Sequence, residues 1–168
     1  MQAVQNDEPL LIRLFEKDDL EAMRTVWNEV VEDGVAFPQE EMLDADAALE
    51  FFSSQSATAV AVCGNRLLGL YILHPNNTGR CSHIANASYA VSFEARGRGI
   101  GRALVSDSLE RAGSIGFRGL QFNAVVASNA GAIHLYEDLG FTRIGTIFGG
   151  FRMKDGTFQD TFIYFHEV

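Results

Sequence analysis

Val91-Ser92-Phe93-Glu94-Ala95-Arg96-Gly97-Arg98-Gly99-Ile100-Gly101-Arg102-Ala103-Leu104 is the stretch whose reading decides the fold. An apolar, strand-like run enters a loop with three alternating glycines, and an amphipathic helix begins at once. Such a loop turns unpaired backbone N–H groups outward at a helix N-terminus, where the helix dipole also favours a phosphate. Gly97, Gly99 and Gly101 carry no Cβ, so the loop can adopt positive φ and let a pyrophosphate approach the main chain. A phosphorylated ligand is expected here; a purely structural strand-to-helix turn is the alternative.

Two common phosphate loops are excluded by their own patterns. A P-loop needs a Gly-Lys pair, and the chain has none. A dinucleotide fingerprint needs glycine where Arg102 stands. The remaining pattern is R-x-x-G-x-G over Arg96 to Gly101. Downstream, the strand-like Gly119–Val126 precedes Ser128-Asn129-Ala130-Gly131-Ala132-Ile133-His134-Leu135-Tyr136-Glu137-Asp138-Leu139-Gly140-Phe141. These two motifs, in this order, resemble the signatures of the GNAT N-acyltransferases. The resemblance covers nearly the whole chain, from Leu10 to His166. Within that family it leans toward the phosphinothricin acetyltransferase-like, amino-acid-acetylating branch, on Asn28–Phe37 and Gly150–Asp160.

Composition sets outer limits. A chain of 168 residues is read as one domain, residues 1–168, and its 47% hydrophobic and 21% charged content suits a globular protein. No run approaches the ~20 apolar residues of a membrane span, and the polar first residues do not read as a signal peptide. Cys63 and Cys81 lack metal or disulfide-scaffold spacing, so a reducing cytoplasm is expected. Residues 1–83 hold 14 acidic and five basic side chains, whereas residues 84–168 hold eight of each. The proposed phosphate loop thus lies in the neutral half, locally basic at Arg96, Arg98 and Arg102. Nucleic acid and anionic membranes are poor partners for a chain of net charge −9.

Periodicity predicts a strand at 10–14, a helix from Asp18/Asp19 to Asp33-Gly34, and a helix over 45–52. A hairpin follows over 58–63 and 66–74 across Gly64-Asn65, then a strand at 83–92. A helix from Gly99 to Ile115, a strand at 118–127, a helix at 129–139 and strands at 141–149 and 158–166 complete the chain. The resemblance implies a mixed α/β fold: a mostly antiparallel central sheet with splayed strands, flanked by helices.

The resemblance also implies a site. Acetyl-CoA would lie between the splayed strands, its arm on main-chain groups near Tyr89 and Val91. Its pyrophosphate would sit on the amides of Arg96, Gly97, Arg98, Gly99, Ile100 and Gly101, with Arg102 and Asn129 nearby. No metal is required. Tyr136 matches the family's general-acid tyrosine; without the motif it reads as a core tyrosine on the apolar helix face with Ile133 and Leu139. Asn129 also suits a helix N-cap. The branch tends to carry glutamate at the position of Asn86, and an amide cannot act as that base. Asn86 and Asn123 are instead similar to the strand asparagines of fungal-type acetyltransferases acting on proline analogues; satisfying buried backbone groups is the other reading.

Without a strong base the site favours weakly basic amines. An α-amino group of pKa ~7.7–8.0 is neutral in roughly a tenth of molecules at pH 7, a lysine side chain in about 1 in 2,500. The substrate pocket is expected from Glu32 to Phe37, Asn86, Asn123 and the last hairpin, with Glu32 orienting the ammonium or remaining a solvated helix-end charge. The expected reaction is acetyl transfer to a small-molecule amine by direct attack, in a homodimer. Acetylation of protein N-termini or lysines, and a non-catalytic acyl-CoA-binding module, are the alternatives.

Overall fold

A computed structural model describes residues 8–168; the polar segment 1–7, read above as no signal peptide, lies outside the described residues. Among the described residues seven strands form one sheet in the order β1-β2-β3-β4-β5-β7-β6. They are β1 (Leu10–Leu14), β2 (Ala57–Cys63), β3 (Arg66–Pro75), β4 (Ile84–Val91), β5 (Gly119–Val126), β6 (Thr142–Arg152) and β7 (Phe158–Glu167). Four α-helices, α1 (Leu20–Asp33), α2 (Ala45–Ser53), α3 (Ile100–Ser114) and α4 (Ala130–Asp138), flank it. The element order is the one expected, with boundaries displaced by a few residues; β6 extends furthest beyond its expected end.

Alternation along the strands separates two cores. On one face Met23, Trp27, Val30 and Val31 of α1 and Phe52 of α2 pack on Val60, Leu70, Ile72 and Ala90. On the other, Leu104, Val105 and Ala112 of α3 cover Tyr71, Leu73, Ala85, Leu120 and Phe122. Trp27 is 1% exposed, with its ring centroid 4.5 Å from Phe37 and 5.9 Å from Phe52. Burial of each such side chain is worth on the order of 1.5–3 kcal/mol. The stacking also ties the α1–α2 connection to the core. Asn28 pins the same connection, donating to the Leu43 carbonyl at 2.9 Å and accepting from its N–H at 2.8 Å.

The feature that makes a site is a fork in the sheet. β3 and β4 pair antiparallel along the whole of β4's central run, from Gly69↔Val91 to Pro75↔Ala85. β4 and β5 run parallel but pair only at Ile84↔Gly119 and Ala85↔Leu120. Beyond Ala85 the two strands part, leaving main-chain groups on the β5-facing edge of β4 without a strand partner. β5 is itself irregular between Phe122 and Val125, where its pairing with β7 breaks.

Candidate active site

The fork opens into a cleft of about 940 Å³. At its wide end the chain turns from β4 through a short 3-10 turn at Phe93–Ala95 into the loop Arg96–Gly99 and then α3. Gly97 and Gly99 adopt φ of 74° and 79°, the left-handed region that an L side chain rarely enters. A Cβ at either would meet nothing within 4 Å, so the space before the loop is open. Gly101 corrects the sequence reading: its φ is not positive, and it is an ordinary residue of the first turn of α3.

No side chain caps α3, and the first bond into its N-terminus runs from Ala103 N–H to the Gly99 carbonyl. The N–H groups of Gly97, Arg98, Gly99, Ile100, Gly101 and Arg102 therefore have no partner among the described residues. Ile100 is buried, so only its main chain can face a ligand. Aligned unpaired donors at a helix N-terminus are suited to a diphosphate, and the expected phosphate group fits the residues present.

The three arginines divide. Arg102 is ion-paired with Asp138 at the end of α4, so its guanidinium ties α3 to α4 while its N–H remains unpaired. Arg96 lies 4.0 Å over the Phe93 ring and 3.9 Å from Asp33. Arg98 has no ion pair among the described residues and is exposed.

Along the cleft wall, Tyr89 donates to Ser108 Oγ at 2.7 Å, because the Ser108 hydroxyl gives its proton to the Val105 carbonyl. The Tyr89 side chain thus belongs to the wall, packed 5.8 Å from Phe122 and 6.5 Å from Tyr136. Val91 also lines the cleft. Tyr136 projects from α4 against Phe122, centroids 4.5 Å apart, and also lines the cleft. Burial pushes its hydroxyl well above the usual phenol range, so it stays protonated and able to donate at neutral pH. That hydroxyl has no hydrogen-bond partner among the described residues. Asn129 caps α4, accepting from Ala132 N–H at 3.2 Å, and also lines the cleft.

The narrow end of the fork holds a cluster that sequence reading saw only in part. Asn86 lies one residue past the last β4–β5 pair, and Asn123 lies in the irregular stretch of β5. Both donate to the same atom, Oδ1 of Asn76, at 3.2 and 2.7 Å. Asn76 follows β3 directly and is held by its own N–H to the Ile84 carbonyl at 2.8 Å. Gln121 donates to Asn123 Oδ1 at 3.0 Å. Asn76 was missed because its partners stand 10 and 47 residues away. His74 was missed too: it is the direct cross-strand neighbour of Asn86 and lines the cleft. Only the strand register brings them together.

The segment Val35–Gln39 covers this end, with Phe37 buried against Trp27 and lining the cleft. Glu32 does not reach it. The helical turn places Glu32 on the exposed face of α1, and its carbonyl accepts from Lys154 Nζ. The last hairpin is a second correction. It braces the end of α1 through Lys154 and the α1–α2 connection through an Arg152–Glu40 pair at 2.9 Å, and contributes no lining residue. Among the described lining residues there is no aspartate, glutamate or lysine. Among the described residues no three His, Cys, Asp or Glu side chains gather to hold a metal ion.

Residues 20–141 match the acetyltransferase (GNAT) family. The N-acetyltransferase aca1 of Schizosaccharomyces pombe is 43% identical over 109 residues, covering 64% of this chain; the chain thus spans about half, 52%, of that relative's length. The L-amino acid N-acyltransferase MnaT of Escherichia coli is 26% identical over 88% of this chain and 91% of its own. Among solved structures, a GCN5-related N-acetyltransferase from Kribbella flavida superposes with TM-score 0.88 at 34% identity, covering 95% of this chain and 98% of its own. A phosphinothricin acetyltransferase from Sinorhizobium meliloti in complex with AcCoA gives 0.85 at 25% identity, over 95% and 88%.

Proposed function

Because this chain belongs to the acetyltransferase (GNAT) family, we propose that it transfers the acetyl group of acetyl-CoA to the nitrogen of a small amine, an amino acid or close analogue. Attack is direct, with both substrates bound. One observation carries the reading: the forked cleft joins a loop of unpaired N–H donors at its wide end to an amide-lined, carboxylate-free pocket under Phe37 at its narrow end. The names of the Escherichia coli and Sinorhizobium meliloti relatives support the acceptor class, and the bound AcCoA of the latter supports the donor.

In this account the amides of Gly97–Arg102 hold the pyrophosphate, and the free edge of β4 from Asn86 to Val91 holds the arm and polarises the thioester carbonyl. Tyr136 gives its proton to the departing thiolate. That step asks little: releasing a thiolate of pKa ~8.5 at pH 7 costs about 2 kcal/mol. Asn86 and Asn123, locked by Asn76, line the acceptor pocket with Phe37. Neither cysteine lines the cleft, which favours direct transfer over an acyl-enzyme.

We further place the enzyme in the cytoplasm as a homodimer. The dimer is supported by an apolar group on the β6–β7 hairpin, where Ile144, Ile147, Phe148 and Phe158 stand exposed and Phe148 is 85% so. No helix among the described residues is long and apolar enough to cross a membrane. Initial rates measured while both substrates vary test the mechanism: intersecting lines are expected, and parallel lines would indicate a covalent acetyl-enzyme instead.

A further inference from the structure

The acceptor must arrive as an ammonium and react as a neutral amine, yet the described residues of the cleft offer no carboxylate to take the proton. Among the described residues its titratable side chains are Tyr89, Tyr136, Arg96, Arg102 and His74. Burial holds both tyrosines protonated, and the arginines are permanently charged. His74 remains.

His74 is the next-to-last residue of β3 and stands directly opposite Asn86, the first residue of β4 beyond its pairing with β5. Directly opposed residues project from the same face of a sheet. That face is the one on which Ile72 and Ala90 meet α1, so His74 and Asn86 stand under the Val35–Gln39 segment. The ring geometry is specific. Nδ1 lies 2.9 Å from the Pro75 carbonyl. A carbonyl only accepts, so Nδ1 carries the hydrogen and the neutral ring presents Nε2 as an unprotonated acceptor. Asn86 donates from its amide nitrogen to Asn76, which leaves its Oδ1 as a second acceptor next to the ring.

We propose that His74 is the catalytic base of this site, taking a proton from the acceptor ammonium at Nε2 while Asn86 Oδ1 holds another of its N–H groups. The assignment rests on the acetyl-transfer reading above. The freed lone pair forms the new C–N bond as the thioester C–S bond breaks. Tyr136 gives its hydroxyl proton to the sulfur and regains one from the new amide nitrogen through water; His74 returns its proton to solvent. An imidazole in place of a carboxylate fits amines close to neutral pKa, α-amino or strained secondary amines, better than lysine-like ones.

The experiment compares wild type with His74→Gln, using an amine that wild type acetylates. The variant is expected to bind acetyl-CoA as wild type does, to lose on the order of 100-fold in kcat at pH 7, and to have the acid limb of its pH profile moved toward the amine's own ionisation. An unchanged kcat and profile would overturn the assignment while leaving acetyl transfer standing. Wild type that binds acetyl-CoA but acetylates no amine would overturn both. A long-range proton–nitrogen correlation spectrum of wild type decides independently of the variant's folding: the Nδ1-protonated ring is expected, and an Nε2-protonated ring overturns the proposal.

Discussion

Replacing Gly99 with alanine separates the two demands that the loop places on its backbone. Gly99 holds φ at 79°, and an added Cβ would touch nothing within 4 Å, so no clash contributes. What remains is the left-handed penalty of an L residue, about 1–2 kcal/mol. For a chain of this size that lowers Tm by roughly 2–8 °C. The methyl group also stands beside the unpaired N–H groups of the loop. Losing one hydrogen bond to a charged phosphate costs about 1.5–3 kcal/mol, so acetyl-CoA affinity should fall roughly 10–100-fold. Gly101→Ala is the internal control. Its φ is not positive and its Cβ would lie 3.5 Å from Leu135 Cδ2, an ordinary contact. Removing a helical glycine there should raise Tm, by the equivalent of about 0.5 kcal/mol. Thermal melts and calorimetric titration with acetyl-CoA read both effects. Gly99→Ala with lowered Tm and unchanged affinity would reduce the loop to a structural turn. Shifts of Tm in the same direction for both variants would refute the backbone argument itself.

Tyr136→Phe should keep acetyl-CoA affinity and lose on the order of 100-fold in kcat; unchanged turnover in steady-state assays would leave Tyr136 a packing residue. Asn76→Ala removes the acceptor shared by Asn86 and Asn123, and at about 1 kcal/mol per hydrogen bond the KM for the amine should rise tenfold or more with the KM for acetyl-CoA unchanged. Asp19 accepts from both Arg13 nitrogens, at 2.7 and 3.0 Å, and these bonds hold its carboxyl below the usual range. A carboxyl whose pKa is depressed by folding stabilises above its unfolded value, and that stability is lost as pH falls through its folded value. Melts from pH 7 down to about pH 3 should therefore fall less steeply below pH 4 in Asp19→Asn, which starts from a lower plateau.

What was legible in the sequence follows the range of the interactions concerned. The Arg96–Gly101 loop, the helix it opens and the Asn129 cap are local, and all three stand where the sequence put them. The order of strands and helices follows from periodicity, which the two apolar faces of the sheet enforce. Asn86, Asn123 and Phe37 of the narrow end were legible, but Asn76 and His74 were not, because their places exist only through register. Asn76 acquires its meaning from strands on either side of the fork, and His74 from standing opposite Asn86. Glu32 shows the converse limit. It neighbours Val31 in sequence, but the turn of α1 carries it from the buried to the exposed side. Arg102 carries charge at the expected loop, yet its side chain is spent on Asp138, 36 residues on.

The most direct measurement is release of free CoA thiol from acetyl-CoA across a panel of amino acids, phosphinothricin-like compounds, proline analogues, polyamines and peptides. The account predicts turnover with amino acids or their analogues and none with peptides or polyamines. Turnover confined to peptides, or none at all while acetyl-CoA still binds, would contradict it.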